Sequence, residues 1–202
     1  MIIRSWIVLL VNKNLSNRSI NRKVSSLKSF YKFLVKTETI NSSPLIAHSP
    51  LKQSKKIQVP FSKDEIGALL DSDFFKNDYR GVLQKTIISF FYFTGVRRIE
   101  LINLKASDVN MNSKTIRVMG KRNKERIIPM LPKLKESINE YLKKKSQKFN
   151  NKFHEHLFVS KSGIKLTEKY VYRTVNEYFK LVSPKVKKAP HVLRHSFATH
   201  LI

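Results

Sequence analysis

The sequence predicts a mostly α-helical fold with a small antiparallel β-sheet, an α+β class. Apolar residues recur every three to four positions over most of the chain, which is the helical period. Two short runs rich in β-branched residues flank a turn that contains Gly120 and Asn123, as expected of a β-hairpin. With 202 residues, 41% of them hydrophobic, the chain can bury one substantial core and a smaller one.

Residues 1–48 predict part of a small helical domain. The short apolar run from Ile7 to Val11 has the character of one helix face and lacks a cleavage site of the kind that ends a signal peptide. Ser16 can cap a second helix, whose apolar residues are Ile20, Val24, Leu27, Tyr31 and Leu34. Because so few helices cannot enclose a core, we expect this region to be the remainder of a truncated domain.

Residues 49–60 predict a basic linker. This segment begins and ends near Pro50 and Pro60, is rich in lysine, glutamine and serine, and has no helical period. Residues 61–202 then form the main predicted domain.

The main domain opens with a capping box at Ser62 and Glu65. A helix over residues 78–93 follows, and Gly95 can end it. The hairpin strands are predicted at 115–119 and 124–129, followed by a helix over 132–145 and a short strand at 157–159. Thr167 caps a helix that stops at Pro184, and a last helix begins near Pro190.

The charge of the chain points to a polyanionic partner. Forty Lys and Arg against fourteen Asp and Glu give a net charge of +26. Neutralising phosphates releases counterions, so such a chain favours nucleic acid. A basic ribosomal or structural protein would also explain the charge. The lack of cysteine excludes disulfides and thiolate metal sites. No stretch has membrane-spanning length, so we expect a cytoplasmic protein.

Three segments combine residues suited to phosphate chemistry. Arg97 follows Gly95 at the predicted end of a helix, and Lys121 lies at the hairpin turn. His191 and Arg194 are three residues apart in the first turn of the last helix, where the macrodipole favours an anion. Taken singly, each has an ordinary explanation: Glu100 or Glu125 could pair with Arg97, Lys121 could be a solvated charge, and the His/Arg pair a polar helix face.

In this order and spacing, the three segments resemble the tyrosine recombinase (phage integrase) family, and specifically its bacterial Xer branch. The resemblance extends from Asn17–Lys23 through the linker to the end of the chain. It implies part of a helical, SAM-like core-binding domain over residues 1–48 and, over 61–202, a catalytic domain that lacks its C-terminal segment. Arg98, Ile99 and Arg122 differ from the residues that are common in the family at those places.

The resemblance implies site-specific DNA recombination without metal or other cofactor. A tyrosine attacks a DNA phosphodiester and forms a 3′-phosphotyrosyl link, so no ATP is required. Arg97 and Arg194 would bind the non-bridging oxygens, Lys121 would protonate the leaving 5′-oxygen, and His191 would act as general base or hydrogen-bond partner. His195 is expected to pack within its helix.

The resemblance also implies double-stranded DNA as the partner, recombinase protomers in a tetramer on DNA, and a location at the bacterial nucleoid. Chromosome-dimer resolution, phage integration and transposon movement are all compatible with it. Basic residues expected to contact DNA lie in both regions and the linker: Arg18, Arg22, Lys23, Lys28, Lys55, Lys56, Arg122 and Lys124.

The expected position of the nucleophile lies beyond Ile202, after another active-site His or Trp. Tyr170, Tyr172 and Tyr178 precede the His191 helix and are expected to be packing or surface residues. We therefore expect a chain shortened at both ends and unable to cleave DNA by itself. The alternative is a non-catalytic DNA-binding module or regulator derived from a recombinase.

Overall fold

A computed structural model describes residues 2–53, 59–120, 123–185 and 188–200. The chain divides into two compact units, residues 1–57 and 58–202. Each unit has its own hydrophobic core.

The first unit contains helices α1 (Ile2–Asn12) and α2 (Asn17–Lys36). Ser16 caps α2 as predicted, since its side chain accepts a hydrogen bond from the Ser19 N–H. The buried residues of this unit are Ile7, Leu10, Ile20, Val24 and Leu45. Asn21 exchanges two hydrogen bonds with the backbone of Leu51, so the start of the predicted linker lies along α2.

The second unit contains the remaining helices and one sheet. Its helices are α3 (Lys63–Leu70), α4 (Tyr79–Thr94), α5 (Arg98–Asn103), α6 (Pro132–Phe149), α7 (Glu168–Val182) and α8 (Pro190–His200). The antiparallel sheet has the order β1 (Val109–Asn110), β2 (Thr115–Met119), β3 (Glu125–Pro129). The α+β prediction is confirmed.

Helix α4 is the centre of the second unit. It is apolar on most of its circumference and packs against α6, α7 and α8. Phe90 and Phe91 are fully buried, and Phe90 contacts Phe158 edge to face with ring centroids 5.5 Å apart. Aromatic side chains bury large areas, so this packing fixes the end of α4 relative to the buried segment that contains Phe158.

The predicted strand at residues 157–159 is wrong. Leu157, Phe158 and Val159 are buried, but the segment makes only isolated bridges, between Lys105 and His156 and between Val159 and Lys165. Tyr141 and Lys145 of α6 donate hydrogen bonds to the Leu157 carbonyl, at 2.9 Å each. These side chains satisfy a backbone group that would otherwise need a strand partner. Among the described residues, no helix is both long and apolar enough to cross a membrane.

Candidate active site

Gly95 brings helix α8 close to the end of α4. It caps α4 with a φ of 58°, in the left-handed region that glycine adopts at little cost. A Cβ on Gly95 would lie 2.3 Å from Cδ1 of Phe197, so α8 can come this close only because the side chain is absent. The Gly95 carbonyl accepts a hydrogen bond from Nη1 of Arg194. The glycine thus lets the guanidinium of Arg194 contact the backbone just two residues before Arg97.

Arg97 is held at the start of α5. Its backbone N–H donates to Oε2 of Glu100 at 2.7 Å, and its Nη1 donates to Oε1 of the same carboxylate at 2.7 Å. Glu100 and Glu125 were both possible partners from the sequence, and the structure shows Arg97 paired with Glu100. The side chain of Arg97 remains 52% exposed. This geometry fixes the guanidinium and leaves it accessible to an anion.

Glu100 is a buried carboxylate shared by two arginines. Its side chain is 2% exposed, and Arg126 of β3 donates to both of its oxygens, at 3.1 and 2.6 Å. Burial by itself would raise the pKa of Glu100, but the hydrogen bonds from Arg126 and Arg97 outweigh it and hold that pKa at about 2. Glu100 is therefore ionised under ordinary conditions. Arg126 was not among the residues predicted from the sequence for this site.

Arg194 and Arg97 carry two positive charges in one place. Burial lowers the pKa of the Arg194 guanidinium, and the positive charge of Arg97 lowers it further. Because Arg194 donates to the carbonyl of Gly95, two residues before Arg97, both charges belong to the same region of the second unit. A phosphate between them would offset their repulsion, and two guanidinium groups match its oxygens.

His191 and His195 also lie on α8, and both are exposed. His191 is one turn before Arg194 and therefore on the same face of the helix. The prediction that His195 packs within the helix is wrong, since α8 presents it to solvent. The residues that α8 packs against the core include Val192, Leu193 and Ser196, all fully buried.

Lys121 and Arg122 lie outside the described residues. The strands that flank them in the sequence are β2 and β3, which pair with Met119 opposite Glu125. Gly120 donates its N–H to the Lys124 carbonyl at 2.8 Å, and a Cβ on it would lie 3.4 Å from Nη1 of Arg126. The described end of β2 therefore lies beside the Glu100–Arg126 pair. Lys124 is exposed.

The basic residues proposed to contact DNA in the first unit differ in their surroundings. Arg18, Arg22 and Lys23 are exposed on α2. Lys28 is half-buried and donates to the His48 carbonyl at 2.9 Å, so it also holds its own unit together. Lys55 and Lys56 lie outside the described residues.

Comparison with known proteins identifies the family. Residues 61–202 match the phage integrase family, and residues 1–38 match the N-terminal SAM-like domain of phage integrases. The chain belongs to the phage integrase family. The resemblance inferred from Arg97, Lys121, His191 and Arg194 is thereby confirmed at the level of the family.

The relatives of this integrase-family chain include Xer recombinases. Tyrosine recombinase XerC of Staphylococcus saprophyticus is 34% identical over 200 residues, which cover 98% of this chain and 67% of the relative. Tyrosine recombinase XerD of Halalkalibacterium halodurans is 34% identical over 185 residues, covering 91% and 62%. The chain thus spans about two thirds of the length of these relatives.

Solved structures show the same fold. The crystal structure of XerA recombinase is 28% identical, with a TM-score of 0.61, and the match covers 99% of this chain and 67% of that one. The XerH recombinase bound to its difH substrate before cleavage is 23% identical with a TM-score of 0.77, covering 99% and 58%. This second likeness supports the integrase fold alone.

Proposed function

We propose that this chain is the larger part of a site-specific DNA recombinase that breaks and rejoins strands through a 3′-phosphotyrosyl link. The observation that carries the proposal is the juxtaposition of Arg97 and Arg194 beside the ionised Glu100. Two fixed guanidinium groups in a partly desolvated position suit the charge that develops on a phosphodiester under attack.

Four residues share the chemistry in this proposal. Arg97 and Arg194 bind the non-bridging oxygens, and His191 acts as general base or hydrogen-bond partner to the phosphate. The tyrosine oxygen forms a bond to phosphorus as the bond to the 5′-oxygen breaks, and Lys121 gives that oxygen its proton. The free 5′-hydroxyl of another strand reverses the step.

The partners follow from the same proposal. Solved relatives include recombinases bound to DNA, such as XerH on its difH substrate, which supports double-stranded DNA as the partner. We infer that residues 1–57 grip the duplex through Arg18, Arg22 and Lys23, and that the whole protein acts as a tetramer of protomers at the bacterial nucleoid. A role in chromosome partition would fit the XerC and XerD relatives.

Duplex binding by the chain is expected to depend strongly on salt. With a net charge of +26, many phosphates are neutralised and their counterions released. For about 6–10 phosphate contacts, affinity should fall by about 10³–10⁵ between about 50 and 200 mM salt. Fluorescence anisotropy with a labelled duplex measures this slope. A nearly flat dependence of log affinity on log salt would contradict the phosphate-binding proposal.

The tyrosines of this chain are not expected to form a covalent adduct with nicked DNA. Burial raises the pKa values of Tyr170 and Tyr178, which disfavours the phenolate, and the Tyr178 hydroxyl donates to Gln84 at 3.0 Å. Tyr172 is exposed on α7. Denaturing electrophoresis with a nicked suicide substrate tests this. An adduct mapped by mass spectrometry to Tyr172 or Tyr178 would overturn the proposed position of the nucleophile.

A further inference from the structure

We propose that Arg126 is a positioning residue for Arg97. It supplies the positive charge that balances the buried Glu100 and so leaves the charge of Arg97 available to a DNA phosphate. The inference rests on the proposed function, in which Arg97 binds that phosphate, and assigns a role to a residue outside the four catalytic candidates.

The charges around Glu100 motivate the proposal. One carboxylate faces two guanidinium groups, so neutralising it with Arg126 leaves one positive charge on Arg97. Without Arg126, Glu100 and Arg97 would form a neutral pair, and the arginine would have to leave a buried carboxylate unpaired in order to bind phosphate. Such an unpaired buried charge is strongly unfavourable.

The geometry distinguishes the two arginines. Arg126 donates to both oxygens of Glu100, with Nη1 to Oε1 at 3.1 Å and Nη2 to Oε2 at 2.6 Å, and its side chain is 36% exposed. The guanidinium of Arg97 reaches one oxygen, Oε1, and its side chain is 52% exposed. The two-point contact of Arg126 is the stronger and more directional arrangement. Arg126 is thus committed to the carboxylate, and Arg97 is the arginine placed to bind an anion.

The same ion pair joins two parts of the site. Arg126 lies on β3, and Glu100 lies on α5. Gly120, at the end of β2, packs over the pair, since a Cβ there would be 3.4 Å from Nη1 of Arg126 and 3.7 Å from Oε1 of Glu100. The hairpin of β2 and β3, whose strands flank Lys121 in the sequence, is therefore anchored to the helix that begins after Arg97.

Two substitutions separate charge from structure. Arg126→Lys keeps a positive charge opposite Glu100 but loses the two-point contact, whereas Arg126→Gln keeps a hydrogen-bond donor and loses the charge. Each is made in the full chain, alone and with Arg97→Gln, and duplex affinity is measured by anisotropy over a range of salt. Circular dichroism and thermal unfolding verify that each variant folds.

We expect the contribution of Arg97 to duplex affinity to depend on whether residue 126 carries a positive charge. In the unchanged chain and with Arg126→Lys, Arg97→Gln should weaken duplex binding about 5-fold and reduce the salt slope by about one phosphate contact. With Arg126→Gln, the same substitution should change affinity less than about 2-fold, because Glu100 already holds Arg97. Arg117→Gln serves as the matched control. Arg117 lies on the neighbouring strand β2 and pairs with Asp108 at 3.1 Å, so in that background Arg97 should keep its full effect.

Equal effects of Arg97→Gln with Arg126→Lys and with Arg126→Gln would overturn the proposal. If Arg126→Gln alone does not fold, the double change Glu100→Gln with Arg126→Gln replaces it, because it removes both charges of the ion pair. In that double variant, Arg97→Gln should again weaken duplex binding by its full amount. If it does not, the proposal is also overturned. If instead Arg97→Gln changes nothing in an unchanged chain that binds DNA, the assignment of Arg97 in the proposed function is what fails.

Discussion

Lys121→Ala is expected to slow DNA cleavage by about 10²–10⁴-fold, the usual loss when a general acid is removed. Duplex affinity should hardly change, because Lys121 is one of forty Lys and Arg residues. Cleavage is measured in a chain extended by a segment that supplies the tyrosine nucleophile, as the rate of covalent adduct formation with a nicked substrate.

A sulfur substitution in the substrate tests the role of Lys121 directly. When the bridging 5′-oxygen is replaced by sulfur, the leaving group needs no proton, so this substrate should largely rescue Lys121→Ala. It should not rescue Arg97→Ala or Arg194→Ala, whose proposed task is to stabilise charge on the other oxygens. Equal defects on both substrates would mean that Lys121 only positions DNA, and Lys124 would then be the next candidate.

Gly95→Ala is expected to lower the free energy of unfolding of the second unit by about 2–5 kcal/mol. Two costs combine: a non-glycine residue in the left-handed region costs about 1–2 kcal/mol, and overpacking a core costs about 1–3 kcal/mol. Here the added Cβ would meet Phe197 at 2.3 Å. Urea unfolding followed by circular dichroism measures the change.

Two comparisons separate the causes of the Gly95 effect. In a Phe197→Ala background the clash is relieved, so Gly95→Ala should retain only its backbone cost of about 1–2 kcal/mol. Gly67→Ala is the matched control, since Gly67 lies within α3 and a Cβ there meets nothing within 4 Å. That change should stabilise the unit by about 0.5–1 kcal/mol. A Gly95→Ala loss of only about 1–2 kcal/mol that is the same in the Phe197→Ala background would contradict the close packing of α8.

Helix ends and the hairpin could be predicted because local chemistry determines them. Ser62 and Glu65 form the predicted capping box, and Gly95 ends α4 in the left-handed conformation. The predicted helix over residues 78–93 carries apolar residues at helical spacing, and five of them are buried: Val82, Leu83, Ile87, Phe90 and Phe91. These features depend on neighbours within a few residues, so the sequence contains the necessary information.

Elements that depend on distant partners were missed or wrong. Helix α5 is six residues long, too short for a clear apolar period, and its buried residues Leu101 and Ile102 become evident only in the folded core. Residues 157–159 have the composition of a strand, but side chains of α6 satisfy part of their backbone. His195 was expected to pack within its helix, yet its position on α8 leaves it exposed.

The sequence by itself determined the family, the charge and the identity of the residues proposed for phosphate chemistry, because these depend on residue type and spacing. Only the tertiary structure placed Arg194 on the Gly95 carbonyl and brought Arg126 onto Glu100, across separations of 99 and 26 residues. Neither contact has a local signal. They exist because α4 buries its apolar surface against α8, and because pairing of β2 with β3 brings Arg126 beside the start of α5.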